Sequence, residues 1–163
     1  QEGLGERRTV PPNQPCSVSI RKRRPRAWAV STETCYVSPP PPQHHTHTHL
    51  LQTMKESKIP VDTHTSGLAA SCGCLLLMAG RNRTATRSAD IMSHQYAWNA
   101  SGKEHELYGR QKAFKNGSKR MIDMYKLYTG KSEKYIRKHL LPATDVWLTA
   151  SQAKNHNLID KVV

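Results

Sequence analysis

From about His49 to the C-terminus, apolar and polar positions fall into runs with clear punctuation between them. Leu50, Leu51 and Met54 are spaced as the last turns of a helix that ends before Pro60. Val61, Thr63 and Thr65 then alternate with polar neighbours up to Gly67, a pattern that predicts a short strand and a turn. Cys72 to Ala79 is nearly continuous in apolar residues, too long for a typical strand, and stops at Gly80. It predicts a buried helix with a glycine C-cap, and it puts Ser71 at the helix N-terminus. Ala89 to Met92 predicts a second short buried strand with His94 at its carboxyl end, followed by a loop over Asn99 to Gly102.

The longest periodic segment comes next. Leu107, Phe114, Met121 and Tyr128 recur every seven residues with Ile122 and Tyr125 beside them, while the other face carries Lys, Arg and Glu. This predicts an amphipathic helix over about Glu104 to Thr129 that stops at Gly130. Ser132 can cap a shorter helix through Leu140, closed by Pro142, and Asp145 follows in a loop. Thr149 can cap a last helix through His156, Asn157 can take the left-handed C-cap conformation, and Leu158 to Val163 reads as a terminal strand. Helices alternating with short strands predict an α/β fold.

The first 48 residues are a different material. Eight of the ten prolines lie there (Pro11, Pro12, Pro15, Pro25 and Pro39 to Pro42), with the run Arg21-Lys22-Arg23-Arg24. That spacing predicts neither helix nor sheet, so residues 1–48 are expected to be disordered or aberrant and residues 49–163 to form the domain. The chain does not begin with Met and shows no apolar leader core, which reads as a fragment, an unusual extension or a mistranslated stretch. The whole chain of 163 residues carries 25 Lys+Arg against 12 Asp+Glu, a formal charge of +13, and the excess is shared by both parts. Charge of this kind favours anionic partners in general but says little about fold. The longest apolar stretch, Gly67 to Gly80, is shorter than the roughly 20 residues a membrane-spanning helix needs. Four cysteines are too few for a secreted disulfide scaffold, so reduced thiols and an intracellular setting are expected.

Among residues that could do chemistry, Ser71, His94 and Asp145 are the types a nucleophilic hydrolase needs: a hydroxyl, an imidazole to take its proton, and a carboxylate to orient that imidazole. Each also has a plain structural reading. Ser71 serves as a helix cap, His94 as a strand-end histidine and Asp145 as a loop acid, and spacing alone leaves both readings open. The cluster His44 to His49 could chelate a divalent ion, but no second ligand group stands near it at structural-zinc spacing, so no metal site is assigned. Cys72 and Cys74 fall on different faces of one helix and read as small core residues. Arg21 to Arg26, with Trp28 nearby, could meet phosphates, yet no stacking aromatics interleave with it.

Three motifs in order carry a family resemblance: Gly67-Leu68-Ala69-Ala70-Ser71-Cys72-Gly73, the strand end Ile91-Met92-Ser93-His94-Gln95, and Asp145-Val146-Trp147-Leu148-Thr149-Ala150 followed by Gln152-Ala153 and Leu158-Ile159-Asp160. Over about residues 49 to 163 the chain resembles the proteolytic subunit of the Clp ATP-dependent serine protease, in the flavour of Clp-like peptidases of tailed phages and their marine relatives. The resemblance implies a Clp/crotonase-like fold of repeated strand-strand-helix units with a long handle helix over about Glu104 to Thr129. It implies a serine endopeptidase with the triad Ser71, His94 and Asp145, the backbone N–H of Cys72 in the oxyanion hole, and no cofactor or metal. It further implies unfolded polypeptide as substrate, a Clp-type ATPase as partner, stacked heptameric rings, and a cytoplasmic location with a plastid as the alternative. One departure stands out. Where the family has a Ser-Pro-Gly-Gly turn that donates a second oxyanion N–H, this chain has Val37-Ser38-Pro39-Pro40-Pro41-Pro42, and proline has no N–H. The rival expectation is therefore a truncated or impaired paralogue acting as a non-enzymatic ring subunit.

Overall fold

A computed structural model describes residues 18–23, 27–35 and 44–163, with side chains from His49 onward. Strands β1 (Val18–Arg23) and β2 (Ala27–Cys35) pair antiparallel, from Val18 opposite Thr32 to Arg23 opposite Ala27. The expectation that no regular structure survives before residue 48 is corrected at these two segments. Both are free of proline, and Val18 and Ile20, then Trp28, Val30, Thr32 and Thr34, supply β-branched or aromatic residues at alternate positions. Pro25 falls between the two strands in sequence.

Helix α1 (His44–Glu56) carries the chain from β2 to strand β3 (Val61–Ala70), which runs parallel to β2 from Trp28 opposite Val61 to Cys35 opposite Ala69. A parallel pair requires such a crossover. β3 does not turn at Gly67, as its alternation suggested. Its opposite edge is divided: Thr63–Thr65 pair with β4 (Arg83–Ala85), and Leu68–Ala70 pair with β5 (Asp90–Ser93). That second partner keeps the strand extended beyond Gly67 and sets the ends of β3 and β5 side by side.

Helix α2 (Cys72–Met78) lies under the sheet with Cys74, Leu76, Leu77 and Met78 buried. Its C-cap is Ala79 in a right-handed conformation, and Gly80 is not left-handed, which corrects the glycine-cap reading. Gly80 is needed for space: a Cβ there would stand 2.7 Å from Thr63 Cγ2 and 2.8 Å from Thr63 Cβ. Thr63 is itself fixed, because its hydroxyl donates to the Leu77 carbonyl at 2.7 Å.

Helix α3 (Glu104–Thr129) matches its periodic pattern and ends at Gly130 with φ 69, the left-handed cap. Met121, Ile122, Tyr125 and Thr129 are buried, whereas its first ten residues are exposed, Leu107 and Tyr108 included. Helix α4 (Glu133–His139) is capped by Ser132, whose hydroxyl accepts from the Tyr135 N–H at 3.2 Å. Strand β6 (Val146–Thr149), not anticipated, pairs antiparallel with β5. Thr149 then caps helix α5 (Ala150–Asn155) through a reciprocal box with Gln152. Asn157 is left-handed at φ 62, and the terminal strand narrows to β7 (Lys161–Val162) on the edge of β4. Among the described residues, no helix is long and apolar enough to cross a membrane.

Candidate active site

Ser71 occupies the one-residue corner between β3 and α2. Ala70 is still in register with Met92, and the Ser71 N–H donates to the Met92 carbonyl at 3.0 Å, so the corner is tied to β5. The turn from strand to helix is completed at φ 54, ψ −116, a region that costs a residue with a Cβ roughly 1–3 kcal/mol. The corner carbonyl accepts from the N–H groups of Cys74 and Leu75, which starts the helix. The Ser71 side chain makes no capping hydrogen bond. The plain reading of Ser71 as an N-cap is thus replaced: its Oγ lies 2.7 Å from His94 Nε2.

His94 follows directly on the end of β5, a strand held on both sides by β3 and β6. Its neighbours are pinned by side chains. The Ser93 hydroxyl, fully buried, donates to the Leu140 carbonyl at 2.6 Å and stands 2.6 Å from the Tyr125 hydroxyl. Since Ser93 gives its proton to Leu140, Tyr125 is the donor to Ser93. Burial pushes the Tyr125 phenol well above its ordinary value, which keeps that donor protonated. Gln95 Nε2 donates to the Leu141 carbonyl at 3.1 Å. His94 Nδ1 is 2.6 Å from the Gln95 carbonyl oxygen. An oxygen that can only accept requires the proton on Nδ1, which leaves the lone pair of Nε2 facing the Ser71 hydroxyl. This is the tautomer a general base needs.

Asp145 immediately precedes β6. The β5–β6 ladder ends with Ser93 opposite Val146, so one further step in that register sets Asp145 opposite His94. Its carboxylate is exposed, and among the described residues no hydrogen bond joins it to the imidazole. The structure therefore brings Ser71 and His94 together and leaves Asp145 adjacent to them through the backbone register alone. The amides of Cys72 and Gly73 open α2, where first-turn N–H groups have no intrahelical acceptor. Burial pushes the Cys72 thiol up, against a smaller opposing effect of a hydrogen bond with Ser71, so its sulfur stays neutral beside the serine.

The segment Val37 to Pro42 lies outside the described residues, as do the side chains of His44 to Thr48 and of Arg21 to Arg26. Strand β2 ends at Cys35, whose partner Ala69 is two residues before Ser71. The supporting groups Ser93, Gln95 and Tyr125 were not singled out for these roles by sequence reasoning. Their partners are 32 to 47 residues away, and no local pattern reports such contacts.

The family model described as Clp protease matches residues 43–163. The ATP-dependent Clp protease proteolytic subunit 2 of Corynebacterium diphtheriae is 31% identical over 130 residues, which cover 78% of this chain and 64% of that protein. The chain thus spans somewhat under two thirds of this relative's length. The matched span holds every element from α1 onward, including the corner at Ser71 and the end of β5, and on this match the chain belongs to the Clp protease family.

Proposed function

We propose that the chain is a peptidase subunit of a Clp-type protease, a serine endopeptidase that hydrolyses peptide bonds of unfolded polypeptides. The observation that carries this reading is the 2.7 Å contact between Ser71 Oγ and His94 Nε2 at a sharp strand-to-helix corner. His94 Nε2 takes the proton of Ser71 as Oγ attacks the scissile carbonyl carbon. The negative charge that develops on the carbonyl oxygen meets the backbone N–H of Cys72, where the start of α2 favours it. The imidazolium then gives its proton to the leaving amine, and the acyl group remains on Ser71 as an ester. Water, deprotonated by the same Nε2, attacks that ester and releases the second product. Asp145, opposite His94 across the sheet, supplies negative charge while the imidazolium exists. Heptameric rings fed by a Clp-type ATPase are the assembly this reading implies, and α3 would be the handle helix.

A second reading, a ring subunit without peptidase activity, is favoured by one observation: His94 Nδ1 meets a backbone carbonyl and not a carboxylate. Labelling of the purified chain with a fluorophosphonate probe separates the two. Labelling that disappears in both Ser71→Ala and His94→Ala supports the peptidase. A folded chain that remains unlabelled supports the silent subunit.

A further inference from the structure

We propose that Tyr96 is a positioning residue for His94: its ring rests on the bare backbone of α3 at Gly117, and through this contact α3 sets where the imidazole stands relative to Ser71. The inference rests on the reading of Ser71 and His94 as a reacting pair.

On its upstream side His94 is fixed by the β5 ladder, which ends at Ser93. Downstream, residues 94–102 contain no helix or strand, so side-chain contacts decide how the backbone leaves the imidazole. Tyr96, two residues on, packs against Phe114 of α3 with ring centroids 5.6 Å apart and against Trp98 at 6.0 Å, while Trp98 meets Phe114 edge-on at 6.5 Å. Gly117 lies one turn beyond Phe114 and is buried. A Cβ at Gly117 would stand 2.8 Å from both Cε1 and Cζ of Tyr96 and 3.0 Å from its Oη. Any other residue there would lift the ring off the helix.

The same helix contains its own control. Glycine weakens a helix interior, so a second glycine in α3 shows what the residue does there without a packed neighbour. Gly109 has open space around the place of its Cβ, with nothing within 4 Å. Gly117 has the Tyr96 ring. The glycine and the tyrosine form one contact, and its mechanical outlet is the loop that begins at His94. Displacing a reacting group by about 1 Å can cost on the order of 10²-fold in rate.

The test compares Gly117→Ala, Tyr96→Ala, Tyr96→Phe, Gly109→Ala and the double variant Gly117→Ala/Tyr96→Ala in the full chain, each checked for folding by thermal melting. Two readouts are taken: the rate constant of fluorophosphonate labelling, and the imidazole resonances of His94 in protein carrying isotope-labelled histidine, assigned by their loss in His94→Ala. Gly117→Ala and Tyr96→Ala should each slow labelling by about 10- to 100-fold and move the His94 resonances. Tyr96→Phe keeps the ring and should stay within about twofold of the parent, as should Gly109→Ala. The double variant should label no more slowly than the slower single one, because both changes act through the same contact. Parent-like labelling in Tyr96→Ala, or effects that multiply in the double variant, would overturn the proposal. Should Gly117→Ala fail to fold, Tyr96→Ala and Tyr96→Phe decide alone, since neither introduces a clash. An unlabelled parent would instead remove the peptidase reading. The resonances then decide the positioning role by themselves: unmoved in Tyr96→Ala they refute it, and moved there but not in Tyr96→Phe they uphold it.

Discussion

Ser93 and Val146 are the last opposed pair of the β5–β6 ladder, and the next residues along it in either strand are His94 and Asp145. The carboxylate thus begins across the sheet from the imidazole, while the Gln95 carbonyl already holds the Nδ1 proton at 2.6 Å. In the proposed peptidase these two acceptors would divide the work that a single aspartate does elsewhere. Where the orienting acid also fixes the tautomer, its replacement costs about 10⁴-fold. On that reading the carbonyl would retain the tautomer when the acid is lost, and only stabilisation of the imidazolium would go. Asp145→Ala should therefore slow fluorophosphonate labelling by about 10- to 100-fold, against complete loss in Ser71→Ala. A loss in Asp145→Ala as deep as about 10⁴-fold would mean that the Gln95 carbonyl does not hold the proton while Ser71 reacts.

The two free thiols beside the serine should differ in reactivity. Burial pushes the Cys74 thiol up to about 12, and its side chain has no exposed surface. Cys72 is only half-buried and its thiol is raised by the same cause. Since the thiolate is the reacting species, native protein at mildly alkaline pH should be alkylated slowly at Cys72 and not at Cys74. Peptide mapping after iodoacetamide treatment reads this directly, and Cys74 should become reactive only when denaturant opens the core. Alkylation of Cys74 in the folded chain would contradict its burial.

What the amino-acid pattern made legible follows from the range of the interactions involved. Helix limits are local, so Gly130, Ser132 and Thr149 could be read as caps and Asn157 as a left-handed helix stop; the structure caps with the first three and sets Asn157 left-handed just after the His156 cap. The same holds for Ser71 at the start of α2 and His94 past the end of β5. Short strands are different. Arg83–Ala85 and Val146–Thr149 are three and four residues long, and what makes them strands is a partner far along the chain. β1 and β2 were hidden by the prolines that flank them, because composition averaged over the first 48 residues masks two short proline-free stretches. The scaffold of the site was hidden for the same reason as the short strands. Nothing adjacent to Ser93 announces Tyr125, and nothing adjacent to Gly117 announces Tyr96.

Gly80 tests the close packing of α2 on β3. Alanine there would press on Thr63 Cβ, at 2.8 Å, and Thr63 cannot swing away without breaking its 2.7 Å hydrogen bond to Leu77. Overpacking of this kind costs about 1–3 kcal/mol, and for a domain of this size each 1 kcal/mol lowers Tm by about 2–4 °C. Gly80→Ala should accordingly melt several degrees below the parent in a calorimetric scan. An unchanged Tm would mean that the strand and helix shift apart freely at this point.

Arg83 joins three parts of the domain, β4, α3 and the connection from α5 to β7, and its acid partner sets a pH signature. From β4 its guanidinium donates to the Tyr128 carbonyl of α3 at 3.0 Å, to the Asn157 carbonyl at 2.9 Å, and to Asp160 through Nε at 3.1 Å and Nη2. The Arg83 N–H adds a further bond to Asp160 at 2.8 Å. The Arg83 side-chain hydrogen bonds hold the Asp160 carboxyl below its ordinary range, with burial acting in the opposite sense. A depressed folded-state value means that the unfolded chain binds the proton first as pH falls. The contribution is thus fully present above the ordinary aspartate range near 4 and is lost as pH drops through the lower folded value. Arg83 is nearly buried, so Arg83→Met, which strands two backbone carbonyls, should cost about 2 kcal/mol at neutral pH. Asp160→Asn should lower Tm at pH 7 and flatten the acid limb, with its melting curve approaching that of the parent as the pH falls below 4. Melting temperatures measured from pH 7 down to pH 3 check this, and parallel curves for the parent and Asp160→Asn would show that the ion pair contributes nothing to acid sensitivity.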